Sequence, residues 1–343
     1  MTDFRPPFGF EEALRPPVRP GRARITRPVL GRGGSSGGHG ARATLARVAR
    51  RVPETMVKVT GKTHDGGHLA RHLDYISRNG RLPLEGPDGE RLAGRTEVRA
   101  LAGDWAAELS VESQRRRGAV SMSIVLSMPA GTEPFRVEDA SRAFAEHVFG
   151  ERFSYVFVLH DEDRHPHVHL TVRMSGRDGT RLNPRKADLQ SWREVFAEAL
   201  RERGVEAEAT PRRARGVVRK AERTSVRKAR ERFEAGAGAM PKVLAGALRE
   251  AARGEGEGAP WEHQAIERQR LIRRAYVAEA LALSRSDDPQ DRALSRSVEA
   301  FVRSLPKPET RRMRLRDEIA AVRERGDGGA ARSLDPGSRG RAR

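Results

Sequence analysis

The sequence predicts an α+β fold: a central antiparallel sheet flanked by helices, preceded by a disordered tail and followed by a charged helical region. Three observations carry this. Between residues 54 and 216, segments alternating with strand periodicity are interleaved with segments of helical periodicity. Several strand-to-strand links there are too short for a crossover, so those strands pair antiparallel. On either side the composition changes, giving three expected regions: 1–53, 54–216 and 217–343.

Residues 1–53 read as a disordered tail rich in Arg, Pro and Gly. Pro6, Pro7, Pro16, Pro17 and Pro20 break any helix, and the Gly/Ser run over 31–38 is a flexible linker. Order begins near Met56, where Met56-Val57-Lys58-Val59-Thr60 alternates as a strand. A helix follows from Gly66 to Arg78, with Leu69, Leu73 and Ile76 on one face and Asn79-Gly80 as its stop. A hairpin over 81–92 turns at Pro87-Asp88-Gly89. Then come a helix over 96–108, a strand over 120–128 closed by Pro129, and a helix over 137–149. Strands over 153–160 and 167–173 and a helix over 186–203, stopped by Gly204, complete the pattern. From Pro211 the chain turns densely basic up to Arg232. Charged helical segments are expected at 242–253, 261–284 and 306–325, with a basic, flexible end at 337–343.

The chain has 343 residues and a net charge of +19, from 66 Lys plus Arg against 47 Asp plus Glu. That excess is self-repelling unless a polyanion takes it up, which points to nucleic acid first and an anionic membrane surface second. Absence of cysteine excludes disulfides and thiolate metal sites and fits a reducing compartment. No apolar run is long enough to span a bilayer, and no secretory leader is evident, so a cytoplasmic protein without membrane insertion is expected.

Four of the ten histidines fall within residues 160–169. In the strand over 167–173, Val168, Leu170 and Val172 share one face, while His167, His169, Thr171 and Arg173 share the other. In the preceding strand His160 stands at the end, before Asp161, Glu162 and Asp163. Antiparallel pairing brings His160 to His167 and His169, a three-imidazole cation site for which ligand type alone suggests zinc. The neighbouring carboxylates are candidates to orient a ring or hold metal-bound water. The metallo-hydrolase spacing His-x-His-x-Asp-His is not met, because His169 and Leu170 stand at its last two positions.

A metal at a phosphate still needs a nucleophile, either water or a side chain. Of the three tyrosines, Tyr155 alternates with core phenylalanines and Tyr276 lies in the C-terminal helices. Tyr75 is different: helical spacing groups it with His68, Arg71 and Arg78 on a basic face suited to a phosphodiester. With a phenol pKa near 10, some nearby positive charge or base must favour the phenolate. Gly61-Lys62-Thr63 lacks the earlier glycine of a P-loop, since Met56 occupies that place.

Three stretches together resemble the relaxase, or mobilisation nuclease, domain of conjugative and mobilisable elements in the HUH endonuclease superfamily. They are His72-Leu73-Asp74-Tyr75-Ile76-Ser77-Arg78-Asn79-Gly80, the histidine stretch from Leu159 to His169, and Arg181 to Leu189 with Trp192-Arg193. The resemblance covers about residues 54–216. It implies an HUH relaxase-like sheet with the tyrosine on a nearby helix. It further implies attack at an origin of transfer, leaving a 5′-phosphotyrosine and a free 3′-hydroxyl. Tyr75 becomes the nucleophile, Asp161 an orienting group, and His160, His167 and His169 the ligands of Mg²⁺ or Mn²⁺ rather than Zn²⁺. Glu162 departs from the family pattern, standing where relatives often carry His or Asp, and so competes with His160 as third ligand. Arg71, Arg78, Arg173, Arg181, Arg185 and Lys186 are the candidate DNA contacts. Implied partners are single-stranded and supercoiled DNA at the origin, accessory mobilisation proteins, and a secretion or coupling apparatus. The residue reading also leaves open a phosphodiesterase using metal-bound water and a non-catalytic basic nucleic-acid-binding protein.

Overall fold

A computed structural model describes residues 37–112, 118–162, 165–212, 214–216, 222, 224–252 and 260–332. Residues 1–36 of the tail expected over 1–53, Asp163, and residues 333–343, which include the basic end expected over 337–343, lie outside the described residues. The described residues divide into two compact units, 43–210 and a helical unit from 211 onward that also takes in 37–42.

The first unit is α+β. Helix α1 (Gly37–Ala49) leads to strand β1 (Met56–Thr63), helix α2 (Gly66–Ile76), a hairpin of β2 (Leu84–Glu85) and β3 (Arg91–Leu92), and helix α3 (Gly94–Glu112). Strand β4 (Ser121–Ser127), helix α4 (Pro134–Ala145), strands β5 (Tyr155–His160) and β6 (His167–Arg173), and helix α5 (Lys186–Glu202) follow. The six strands form one sheet in the order β1-β4-β6-β5-β2-β3, and every pairing is antiparallel.

Alternation along the strands divides the side chains between two layers. On one face Met122, Ile124 and Leu126 of β4, Phe157 of β5 and Val168, Leu170 and Val172 of β6 pack against α4 and α5. Phe144, Phe149, Trp192 and Phe196 meet edge-to-face in this layer, with Phe149 and Trp192 ring centres 5.3 Å apart. On the other face Val120, Val156 and Val158 meet Leu69, Leu73 and Ile76 of α2 and Val98, Ala102 and Trp105 of α3. The apolar stripe expected on α2 is therefore the one buried. That second face also carries the histidines, because His169 pairs across from Val158.

Helix α2 starts where Asp65 caps the backbone N–H of His68 at 2.7 Å. It ends at Ser77, and the next three residues, Arg78, Asn79 and Gly80, all have positive φ. Arg78 thus lies past the helix, not on its basic face as the spacing predicted.

Two further expectations are corrected. Residues 37–49, read as part of a flexible tail, are helical, with Leu45 and Val48 buried on one side. In the second unit the helices are α6 (Thr224–Glu234), α7 (Lys242–Ala252), α8 (Pro260–Ser284), α9 (Pro289–Arg303) and α10 (Arg311–Arg332). Neither α6 nor α9 was expected. Charge along α6 conceals its period, whereas α9 had a readable start: Asp288 accepts from Gln290 N–H at 2.8 Å and Pro289 opens the first turn. Tyr276 of α8 donates to the Ala214 carbonyl at 2.8 Å within this unit. No described helix is long and apolar enough to cross a membrane.

Candidate active site

The register of β5 against β6 sets His160 opposite His167 and Val158 opposite His169. Three imidazoles from two strands therefore converge. Their ring centres lie 4.5 Å (His160–His169), 5.1 Å (His167–His169) and 5.3 Å (His160–His167) apart. One nitrogen from each falls within 4.8 Å of the others.

Hydrogen bonds set the tautomers. A carbonyl only accepts, so His160 Nε2–H donates to Ile76 O at 2.7 Å and His167 Nδ1–H donates to His165 O at 3.0 Å. The second nitrogen of each ring keeps its lone pair. Burial is the main force lowering the pKa of His160 and of His169, the latter to about 3, helped there by the adjacent imidazoles. Three imidazoles converging one nitrogen each suit a divalent cation.

Tyr75 stands over this cluster. Its ring centre is 6.2 Å from that of His169, nearly perpendicular to it, and the residue is 60% exposed. The other two tyrosines are buried, Tyr155 with its phenol pushed up to about 12 by burial. Tyr75 is thus the tyrosine that both reaches solvent and faces the imidazoles. The positive φ of Arg78 folds its guanidinium back to 5.7 Å from the Tyr75 ring centre. The same guanidinium donates to Glu162 at 3.0 Å and lies 3.5 Å from His160 Nδ1.

Residues 90–205 match the family model of the relaxase, MobA/VirD2-like, nuclease domain. This part of the chain is similar to relaxase nuclease domains of the MobA/VirD2 type. The matched stretch includes all three histidines and begins after Tyr75. The T-DNA border endonuclease VirD2 of Rhizobium radiobacter is 29% identical over 176 residues, covering 46% of this chain and 41% of the relative. Its namesakes from Agrobacterium fabrum and Rhizobium rhizogenes are 28% and 27% identical, each over 46% of this chain and 39% and 40% of their own lengths. The chain spans about two fifths of the relatives it matches. A solved chain from work titled "Molecular Basis of Vancomycin Resistance Transfer in Staphylococcus aureus" is 15% identical, covering 47% of this chain and 99% of its own, with a TM-score of 0.32. That score is too low to bear on fold or function.

The remaining candidates of residues 43–210 separate into those near the cluster and those away from it. Glu162 does not join the imidazoles, because its carboxylate pairs with Arg78. Asp161 is exposed just after His160 and bonds to no imidazole among the described residues. Arg71 is exposed on α2, at a groove shared with Asp74 and Arg99. Arg173 ends β6, four residues from His169 or about 13 Å along the strand. Arg181 donates to Ala119 O at 2.7 Å and so braces the loop before β4. Arg185 and Lys186 are exposed where α5 begins, in the layer on the opposite side of the sheet from the imidazoles.

Sequence reasoning passed over His72. Its Nε2 lies 2.9 Å from Ser123 Oγ and 3.0 Å from Thr171 Oγ1, on the sheet face that bears His169. Its pKa is lowered, first by burial and then by His68. Helical spacing sets it between the buried and exposed stripes of α2, and nothing local marks its partners.

Proposed function

We propose that this protein is a metal-assisted DNA relaxase that nicks one strand with Tyr75 as nucleophile. One observation carries the reading: an exposed phenol 6.2 Å, centre to centre, from a ring of a three-imidazole cluster. The relatives' printed name, a border endonuclease acting on T-DNA, agrees with a DNA substrate.

The chemistry balances as a transesterification. The phenolic oxygen bonds to phosphorus, and the bond from phosphorus to the 3′-oxygen breaks. The phenol gives up its proton and the leaving 3′-oxygen acquires one. The bond energy is kept in the phosphotyrosine, so rejoining needs no nucleotide triphosphate. His160, His167 and His169 would hold a divalent ion, Mg²⁺ or Mn²⁺ in preference to Zn²⁺. When bound, that ion supplies charge to offset what grows on the phosphoryl oxygens. Arg78 and Arg71 place positive charge along the approach to Tyr75, and with a net charge of +19 binding should weaken steeply as salt rises. Nicking at an origin of transfer, for mobilisation with accessory proteins and a secretion or coupling apparatus, extends this reading, as does a cytoplasmic setting.

The test uses single-stranded oligonucleotides tiling the DNA that flanks the gene, incubated with the full chain and Mn²⁺. Denaturing gels should show a protein–DNA adduct and a fragment ending in a 3′-hydroxyl, both abolished by Tyr75→Phe and by a chelator. Cleavage retained by Tyr75→Phe without an adduct would replace the reading with a phosphodiesterase using water. Binding without cleavage would favour a non-catalytic DNA-binding role.

A further inference from the structure

Apolar packing holds α2 against the sheet through Leu69, Leu73 and Ile76. Such packing resists separation but is non-directional, and does not by itself fix the rotation or slide of a helix. A nucleophile needs finer placement, since an error of about 1 Å can cost about a hundredfold in rate. The question is what sets Tyr75 over His169 rather than merely near it.

His72 lies three residues before Tyr75, on the adjoining turn of α2. A single nitrogen, Nε2, lies within hydrogen-bond distance of two hydroxyls, Ser123 Oγ at 2.9 Å and Thr171 Oγ1 at 3.0 Å. Those two residues are direct cross-strand partners, Ser123 on β4 and Thr171 on β6. Thr171 is two residues from His169 on the same strand and the same face. A short path therefore runs from the phenol along one helical step to His72, through one hydrogen bond to Thr171, and along one strand repeat to His169. Ser123 joins that path from the side and is itself held, because its carbonyl accepts from Thr60 Oγ1 at 3.3 Å. The contacts are directional, and they join the element bearing the phenol to the element bearing two of the imidazoles.

We propose that His72 is a positioning residue for Tyr75, a peg from α2 into the sheet that fixes where the phenol stands relative to the imidazole cluster. The proposal rests on the reading of Tyr75 as nucleophile. Its role differs from that of His160, His167 and His169, since Nε2 is engaged by hydroxyls away from the three-nitrogen cluster.

The experiment compares the full-length wild type with His72→Ala, His72→Gln and the double variant Ser123→Ala/Thr171→Val. Single-turnover adduct formation is measured at saturating cleavable oligonucleotide with Mn²⁺. DNA affinity is measured for each substitution in a Tyr75→Phe background, and thermal melting checks folding. The expected result is that His72→Ala slows adduct formation about a hundredfold, with DNA affinity and melting little changed. The amide of His72→Gln, able to meet the same hydroxyls, should recover much of the rate, and the double variant should reproduce the loss. An unaltered rate in His72→Ala overturns the proposal. So does a loss matched by melting or by affinity, or a Gln variant no better than Ala, because each of these marks a merely structural histidine. If the wild type forms no adduct on any oligonucleotide, the nucleophile reading fails first and takes this proposal with it.

Discussion

At the scale of single residues, the imidazoles tie stability to acidity. Burial lowers the pKa of His72, His160 and His169, in the last case from 6.5 to about 3. Between those values the unfolded chain binds a proton that the folded chain refuses, so stability rises with pH across the window. Its contribution is complete above 6.5 and is lost as the pH falls toward 3. Urea titrations with chelator present should show the midpoint falling through that range, and His169→Asn should flatten part of the slope. A midpoint unaffected by pH between 7 and 4 would contradict the burial argument. The imidazole cluster was legible because alternation along one strand and an antiparallel turn place three rings with no knowledge of the rest of the fold. The pairing of Glu162 with Arg78 was not legible, because the two are 84 residues apart. His72 was invisible for the same reason, its partners lying 51 and 99 residues along the chain.

At the scale of elements, the end of α2 positions the chemistry as much as its length does. Gly80 has φ +82°, and a Cβ there would lie 2.4 Å from backbone atoms of Gly94 and Arg95. Its carbonyl also accepts from Gly94 N–H at 3.0 Å. Gly80→Ala is therefore expected to cost about 1–3 kcal/mol, read as a lower urea midpoint, and to slow adduct formation by loosening Arg78. Strands and the central helices were legible from period and from their stops, down to the buried face of α2. The helices α1 and α9 were not. A Gly-rich approach masked the buried Leu45 and Val48 of the first. In α9, Val298 and Phe301 are the large apolar residues among its buried positions, which also include Asp291 and Ser295, too few to register above the charge around them. The basic run read as a single stretch contains α6, whose period is carried by charged residues.

At the scale of the whole molecule, the helical unit carries a buried acid whose response to pH is opposite in sign to that of His169. Glu279 of α8 is fully buried, and neither of its carboxylate oxygens has a hydrogen-bond partner among the described residues. Burial raises its pKa from 4.5 to about 7, with Arg42 opposing the shift. A carboxyl with a raised folded pKa favours folding below 4.5 and loses that advantage as pH climbs through 7. Glu279→Gln should therefore raise the melting temperature at pH 8 and alter it little at pH 5, checked by calorimetry on the full chain. Equal effects at both values would rule out ionisation as the cause.

The account as a whole turns on which atom of the protein takes the DNA. Adduct trapped with a cleavable single-stranded oligonucleotide, digested with protease and nuclease, can be read by mass spectrometry for the residue that bears the phosphate. The prediction is a nucleotide 5′-phosphate on Tyr75. A phosphate found on any other residue, or cleavage with no modified residue at all, would contradict it.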